Sequence, residues 1–198
     1  MKAKNYNLND TKLDDSKVFR DAVHNYIHVD QPVILDLINS KEMQRLRRIK
    51  QLGGTHLVYQ SAEHSRFCHC LGVYFIVRKM IFNSEVGKYL SDYDKLTVMC
   101  AALLHDLGHG PFSHCFEGAF GLNHEEYTVK IINGNSEVNC ILESFEKGFS
   151  KKVSSIIEKT HPNTILIQMI SSQLDADRMD YLLRDSYFTG TTYGHFDL

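Results

Sequence analysis

The sequence predicts a mainly α-helical fold led by a short N-terminal β-hairpin. Three observations carry this. From Gln31 onward, apolar residues recur at three- and four-residue spacing. The one stretch that alternates polar and apolar residues lies near the start. Pro32 and Pro111 stand where a helix would begin, a position in which the missing N–H costs nothing.

Residues 1–16 read as a flexible leader, and 17–198 as one domain. "KVFRDAVHNYIHV" alternates about "HN" and predicts the hairpin. "PVILDLIN" places Val33, Ile34, Leu37 and Ile38 on one helical face, and "KEMQRLRRIKQL" does the same with Met43, Leu46 and Ile49 before Gly53 and Gly54 end the run. Further helices are expected at about 65–83, 92–107, 112–120, 123–133, 149–159, 164–173 and 175–186, each bounded by Gly, Asn, Ser, Asp or Pro. The closing "TTYGHFDL" lacks a recognisable helix stop, so the chain is expected to be the N-terminal part of a longer protein.

A length of 198 residues with 43% hydrophobic content is enough to bury one sizeable core. No apolar run approaches the roughly 18 residues of a membrane span, and the polar start lacks a signal-like apolar region, which points to the cytoplasm. Cys68, Cys70, Cys100, Cys115 and Cys140 are odd in number and contain no CxxC pair, so they read as reduced thiols. The net charge of −2 gives no field that would draw the chain to nucleic acid or an anionic membrane. A phosphate-bearing ligand would need local positive charge.

The chemistry concentrates in "LLHDLGHGPFSH", residues 103–114. "KLTVMCAALLHDL" is apolar on almost every face, which predicts a buried helix over 95–107 with His105 and Asp106 in its last turn. Burying an unpartnered aspartate costs several kcal/mol, on the order of a domain's whole reserve. A divalent cation removes that cost, because imidazole and carboxylate are both good ligands. On these residues alone, His105 also reads as a helix C-cap with Asp106 opening the next turn. Two other apolar helices carry similar groups: His69 in "SRFCHCLGVYFIV", and Asp175, Asp177, Asp180 and Asp185 in "SSQLDADRMDYLLRDS".

An upstream His, a His-Asp doublet and a distant Asp resemble the metal-binding signature of HD-domain phosphohydrolases. "QRLRRIKQLGG", "HSRFCHCLGV", "ALLHDLGHGPFSH", "NHEE" and "DADRMDYLLRDS" occur in the order found in the deoxynucleoside triphosphate triphosphohydrolase branch, which includes dGTPases and the sterile-alpha-motif HD enzymes. The resemblance runs from about Lys17 to the end. It implies an HD-domain helical fold over 17–198 and hydrolysis of deoxynucleoside triphosphates to deoxynucleoside and tripolyphosphate.

The resemblance also implies roles. His69, His105, Asp106 and Asp177 would hold one divalent metal ion (Mn, Fe, Zn, Co, Ni or Mg), with further Mg accompanying the nucleotide. His109, His114, His124 and Glu125 match catalytic positions that line the phosphate path, position water or protonate the leaving group. Arg66 and Arg178 match phosphate contacts, and Gln51, Leu52, Tyr181 and Asp185 match positions around the deoxyribose. Lys17, Val18, Asn39, Gln44 and Arg47 match positions where relatives bind an activating guanine nucleotide between subunits, which implies a homo-oligomer, dimer or tetramer.

Each reading has a plainer alternative. His114 also reads as a helix-start histidine, and His124-Glu125 as the first turn of a helix capped by Asn123. Tyr181 also reads as core packing, and "RLRRIK" as a solvated face. The chain departs from the family at Ala22, where proline is usual, at Cys68, where a carboxylate or serine is common, and at Asn39, where some relatives carry Asp. Two functional alternatives accompany the main one: a phosphohydrolase acting on another nucleotide, such as a monophosphate or guanosine alarmone, and a non-catalytic nucleotide-binding regulatory module.

Overall fold

A computed structural model describes residues 15–112, 114–194 and 196, without the side chain of Phe116. Residues 1–14 of the expected leader lie outside the described residues. The chain is mainly α-helical, with one two-stranded antiparallel sheet at its N-terminal side.

Strands β1 (Lys17–Asp21) and β2 (Asn25–Val29) pair with Lys17 opposite Val29 and Asp21 opposite Asn25. The turn is therefore residues 22–24, slightly earlier than the "HN" centre expected from the sequence. Asp21 sets it, its Oδ1 accepting from the backbone N–H of Val23 at 2.9 Å and of His24 at 3.0 Å. Asn25 follows with φ 64°, a left-handed conformation that asparagine tolerates.

Helix α1 (Pro32–Asn39) buries the four predicted apolar residues and has Pro32 in its first turn. The second predicted helix is cut short. It consists of α2 (Lys41–Arg45) and a 3₁₀ turn over Leu46–Arg48, after which Ile49 is extended. A tertiary pairing takes the chain over: Arg66 N donates to Ile49 O at 2.9 Å, and Gln51 N to His64 O at 3.0 Å. These bonds satisfy the backbone better than continued helix across the glycines.

Helix α3 (Arg66–Asn83) is buried along most of its length and packs against α4 (Asp92–Leu104). Helix α4 stops at Leu104, so His105 and Asp106 lie in a turn and not in the helix predicted to reach 107. The physical reason is that outside donors take the terminal carbonyls. Thr128 Oγ1 donates to His105 O at 3.0 Å, Arg45 Nη2 to Leu107 O at 2.5 Å and Arg45 Nη1 to His109 O at 2.9 Å.

Helices α5 (His114–Phe120) and α6 (His124–Asn133) follow; α5 starts after Phe112, whose φ of 62° bars the predicted start at 112. Asn123 caps α6 by accepting from the N–H groups of Glu125 and Glu126. Helix α7 (Glu137–Phe145) has no counterpart among the predicted elements. Helices α8 (Phe149–Ile157) and α9 (Thr164–Ile170) end before the predicted 159 and 173, and α10 (Ala176–Thr189) runs past 186 to a left-handed Gly190. Helix α10 lies against α3, and α8 against α4 and α6, so α3 and α4 form the centre of the core.

Candidate metal centre

Three segments deliver the site. Helix α3 contributes His69, the turn after α4 contributes His105 and Asp106, and the first turn of α10 contributes Asp177. His69 Nε2 is 3.0 Å from Asp177 Oδ1 and 3.7 Å from Asp106 Oδ2, and His105 Nε2 is 3.5 Å from Asp106 Oδ1 and 3.7 Å from Asp177 Oδ1. Asp177 Oδ1 thus lies within 3.7 Å of both imidazole Nε2 atoms. Among the described residues two groups are compact enough to hold a metal ion: His69, His105 and Asp106, without Asp177, and the neighbouring His109, His114 and His124.

The donor set fits a divalent cation. His69 Nδ1 donates to Asp180 Oδ2 at 2.7 Å and His105 Nδ1 to the carbonyl of Ala102 at 2.8 Å, which leaves each Nε2 lone pair directed inward. His105 Nε2 is buried without a hydrogen-bond partner among the described residues. Burial opposes charge on His69, but hydrogen bonds to Asp177 and Asp180 override it and raise its pKa to about 10. His105 is likewise raised, burial being outweighed by Asp106 and Asp177. Asp106 and Asp177 are held below the carboxylate range despite burial, chiefly by His105, joined by Arg66 at Asp106 and by His69 at Asp177. Positive charge is favoured at this point, and a metal supplies it by displacing protons.

A buried network around Asp180 fixes His69. Asp180, fully buried, accepts from His69, from His24 Nε2 at 2.6 Å and from Arg184 Nε at 2.9 Å, while Arg184 Nη1 donates to Asp21 Oδ2 at 2.9 Å. The sequence reading assigns no role to Asp21, His24, Asp180 or Arg184. The available signal was Asp180, a charge three residues after Asp177 in an otherwise half-apolar helix. Gly72 lets the carboxylate approach α3, since a Cβ there would overlap Asp180 and Arg184.

Beside the cluster, His109 and His124 stack with ring centroids 3.9 Å apart, and His114 stands edge-on to both. Burial holds His109 down to about 4 against the pull of Asp106, keeping it neutral near neutrality. Glu117, also absent from the sequence reading, joins the other two: its carboxylate accepts from His114 Nδ1 and His124 Nδ1, each at 2.6 Å. Burial would raise Glu117, yet the hydrogen bonds from these partners lower it to about 2. Glu125 is half-buried and pairs with Lys159 at 3.3 Å.

Arg66 is buried and ion-paired with Asp106, whereas Arg178 is exposed on the rim of a cavity of about 230 Å³ that opens on His105, Asp106 and Asp177. Asp185 accepts from His64 Nε2 at 2.7 Å, and the carbonyl of His64 holds the backbone of Gln51, so these residues meet next to half-buried Leu52. Tyr181 is half-buried on α10, one turn from Asp185 and Asp177. Gln44 donates to Ile38 O and accepts from Arg47, gathering both near exposed Asn39, and the Arg47 guanidinium covers Phe67 at 3.7 Å. Lys17 and Val18 are exposed on β1, and no hydrogen bond among the described residues joins Lys17 to that group.

The family model described as "HD domain" matches residues 66–185, a span that begins at Arg66, ends at Asp185 and contains all four clustered side chains. The chain belongs to the HD domain family. This HD domain protein is 54% identical over 188 residues to protein YwfO of Bacillus subtilis, covering 94% of the chain and 43% of the relative. It is 34% identical over 191 residues to the deoxynucleoside triphosphate triphosphohydrolase SAMHD1 homolog of Dictyostelium discoideum, covering 88% of the chain and 37% of the relative. Among solved structures it is similar to a phosphohydrolase from Bacteroides thetaiotaomicron, with a TM-score of 0.77 and 35% identity over 89% of the chain and 43% of that protein. The chain therefore spans less than half the length of these relatives. No helix among the described residues is long and apolar enough to cross a membrane.

Proposed function

We propose that this HD phosphohydrolase domain hydrolyses deoxynucleoside triphosphates to deoxynucleoside and tripolyphosphate. The observation that carries the reading is the inward-facing pair of imidazole Nε2 atoms, His69 and His105, between Asp106 and Asp177, with the His109–His114–His124–Glu117 cluster alongside. Similarity to relatives named as deoxynucleoside triphosphate triphosphohydrolases supports the substrate class.

His69, His105, Asp106 and Asp177 would hold one divalent cation (Mn, Fe, Zn, Co, Ni or Mg), with a further Mg entering on the nucleotide. When bound, the cation supplies Lewis-acid activation of water and of the phosphoryl group. In the reaction, water oxygen adds to the α-phosphorus, the bond from that phosphorus to the 5′-oxygen breaks, and the leaving oxygen takes a proton. Glu117 fixes the Nδ1 edges of His114 and His124, which leaves their Nε2 atoms to hold the water or deliver that proton. Neutral His109 and Glu125 border the phosphate path. Arg66 and Arg178 take phosphate oxygens, and Gln51, Leu52, Tyr181 and Asp185 form the deoxyribose wall, with Tyr181 excluding a 2′-hydroxyl. Lys17, Val18, Asn39, Gln44 and Arg47 are assigned to a guanine nucleotide effector between subunits of a homo-oligomer, and the protein to the cytoplasm.

The test is product analysis of the protein with Mn²⁺ and a panel of deoxynucleoside triphosphates. Deoxynucleoside and tripolyphosphate in equal amounts are expected. Orthophosphate or pyrophosphate as the only inorganic product overturns the reading.

A further inference from the structure

We propose that Lys159 is a phosphate-binding residue of this site, its ammonium taking an oxyanion of the polyphosphate from the C-terminal end of α8. The inference rests on the triphosphate reading above and adds a residue that it does not assign. Helix α8 ends in a paired reversal of the backbone: Lys159 N donates to Ile156 O at 3.1 Å and Thr160 N to Ser155 O at 2.8 Å. This places Lys159 at φ 61°, in the left-handed region. Glycine serves that position without a Cβ penalty, and asparagine is the usual second choice. A lysine there carries backbone strain that glycine would avoid, and strain of this kind collects where a side chain is needed for function.

The side chain points to a use. Lys159 lines the same cavity of about 230 Å³ as His105, Asp106, Asp177 and Arg178. Its Nζ is 3.3 Å from Glu125 Oε1, with both side chains about half exposed. An exposed pair of this sort contributes little to stability, so the ammonium can exchange Glu125 for a more highly charged anion. The cavity wall also holds Asp175. A polyphosphate entering among these carboxylates needs several cations, and Arg178 and Lys159 are the Arg and Lys side chains that line this cavity.

The experiment titrates inorganic tripolyphosphate into the Mn²⁺-loaded protein by calorimetry, for wild type, Lys159→Gly and Lys159→Arg. Mn²⁺ affinity and thermal midpoint are measured alongside. Lys159→Gly is expected to melt at or above the wild-type midpoint, bind Mn²⁺ equally and bind tripolyphosphate about tenfold more weakly, the loss of one partly screened charge-assisted contact. Lys159→Arg should stay within about threefold of wild type in tripolyphosphate binding, because it restores the charge. Unchanged tripolyphosphate binding in Lys159→Gly overturns the proposal while leaving the functional reading standing. A lower midpoint or matching loss of Mn²⁺ in that variant overturns it too, by making the lysine structural. Failure of the Mn²⁺-loaded wild type to bind tripolyphosphate overturns the functional reading itself.

Discussion

Asp180 touches no substrate in the proposed reaction, yet it sets the orientation of His69, a proposed metal ligand. Its Oδ2 accepts from His69 Nδ1 while His24 and Arg184 hold the carboxylate still. Carboxylate partners of ligating histidines fix the tautomer and raise basicity, and losing one typically weakens metal affinity about 10–100-fold. Asp180→Asn is accordingly expected to weaken Mn²⁺ binding by that factor in folded protein, measured by competition with a chelating dye; wild-type affinity would remove Asp180 from the role. Asp177 is singled out among four aspartates only by the resemblance to the HD family, whereas His105 and Asp106 stand out in the sequence because charge inside an apolar run demands a partner, as does His69 in its apolar helix. Asp180 carries the same signal, but its partners His24 and His69 lie 156 and 111 residues away. A single sequence does not display such distances. Glu117 was hidden differently, since an acidic residue three positions after a histidine is also what a solvated helix shows.

At the scale of elements, the loop after α4 is held by neighbours rather than by its own propensity. Gly108 N donates to Thr128 Oγ1 at 2.8 Å, and a Cβ on Gly108 would overlap the backbone of His124 and Thr128. Gly108→Ala must push α6 away, carrying His124 with it. A destabilisation of about 1–3 kcal/mol is expected from overpacking, read from the denaturant midpoint, together with a fall in turnover. Normal stability and turnover would show that α6 adjusts freely. Most helices are legible because Val33, Ile34, Leu37 and their equivalents repeat with the helical period. Helix α7 had the same marks, Ser136 as its cap and Val138, Ile141 and Leu142 inside, but Gly134 and Asn135 precede it and hide its start among turn residues. The boundaries at Leu104 and Ile49 were not legible, because donors from Thr128, Arg45 and Arg66 decide them.

For the molecule as a whole, Arg184 joins the two ends of the described chain. It lies buried between Asp21 on the hairpin and Asp180 on α10. Removing one partner of such a pair leaves the others charged and dry, so Arg184→Met is expected to lose about 3–5 kcal/mol of stability near neutral pH. Burial pushes both carboxylates up, and Arg184 overrides it, so Asp21 and Asp180 titrate below their ordinary range. Their contribution is therefore complete above the unfolded carboxylate pKa of about 3.9 and is lost as pH falls through the lower folded values. The stability gap between wild type and Arg184→Met should narrow below about pH 4; urea midpoints giving a constant gap from pH 7 to 3 would exclude this account.

The hairpin–α10 linkage also orders events during synthesis. His24 leaves the ribosome more than 150 residues ahead of Asp177, Asp180 and Arg184. At about 5–20 residues per second, several seconds pass in which α3 and α4 are available but the cluster lacks its last wall. Completion of the proposed metal centre therefore waits for α10, and a nascent chain arrested before residue 177 is expected to retain Mn²⁺ less tightly than one extended past Arg184.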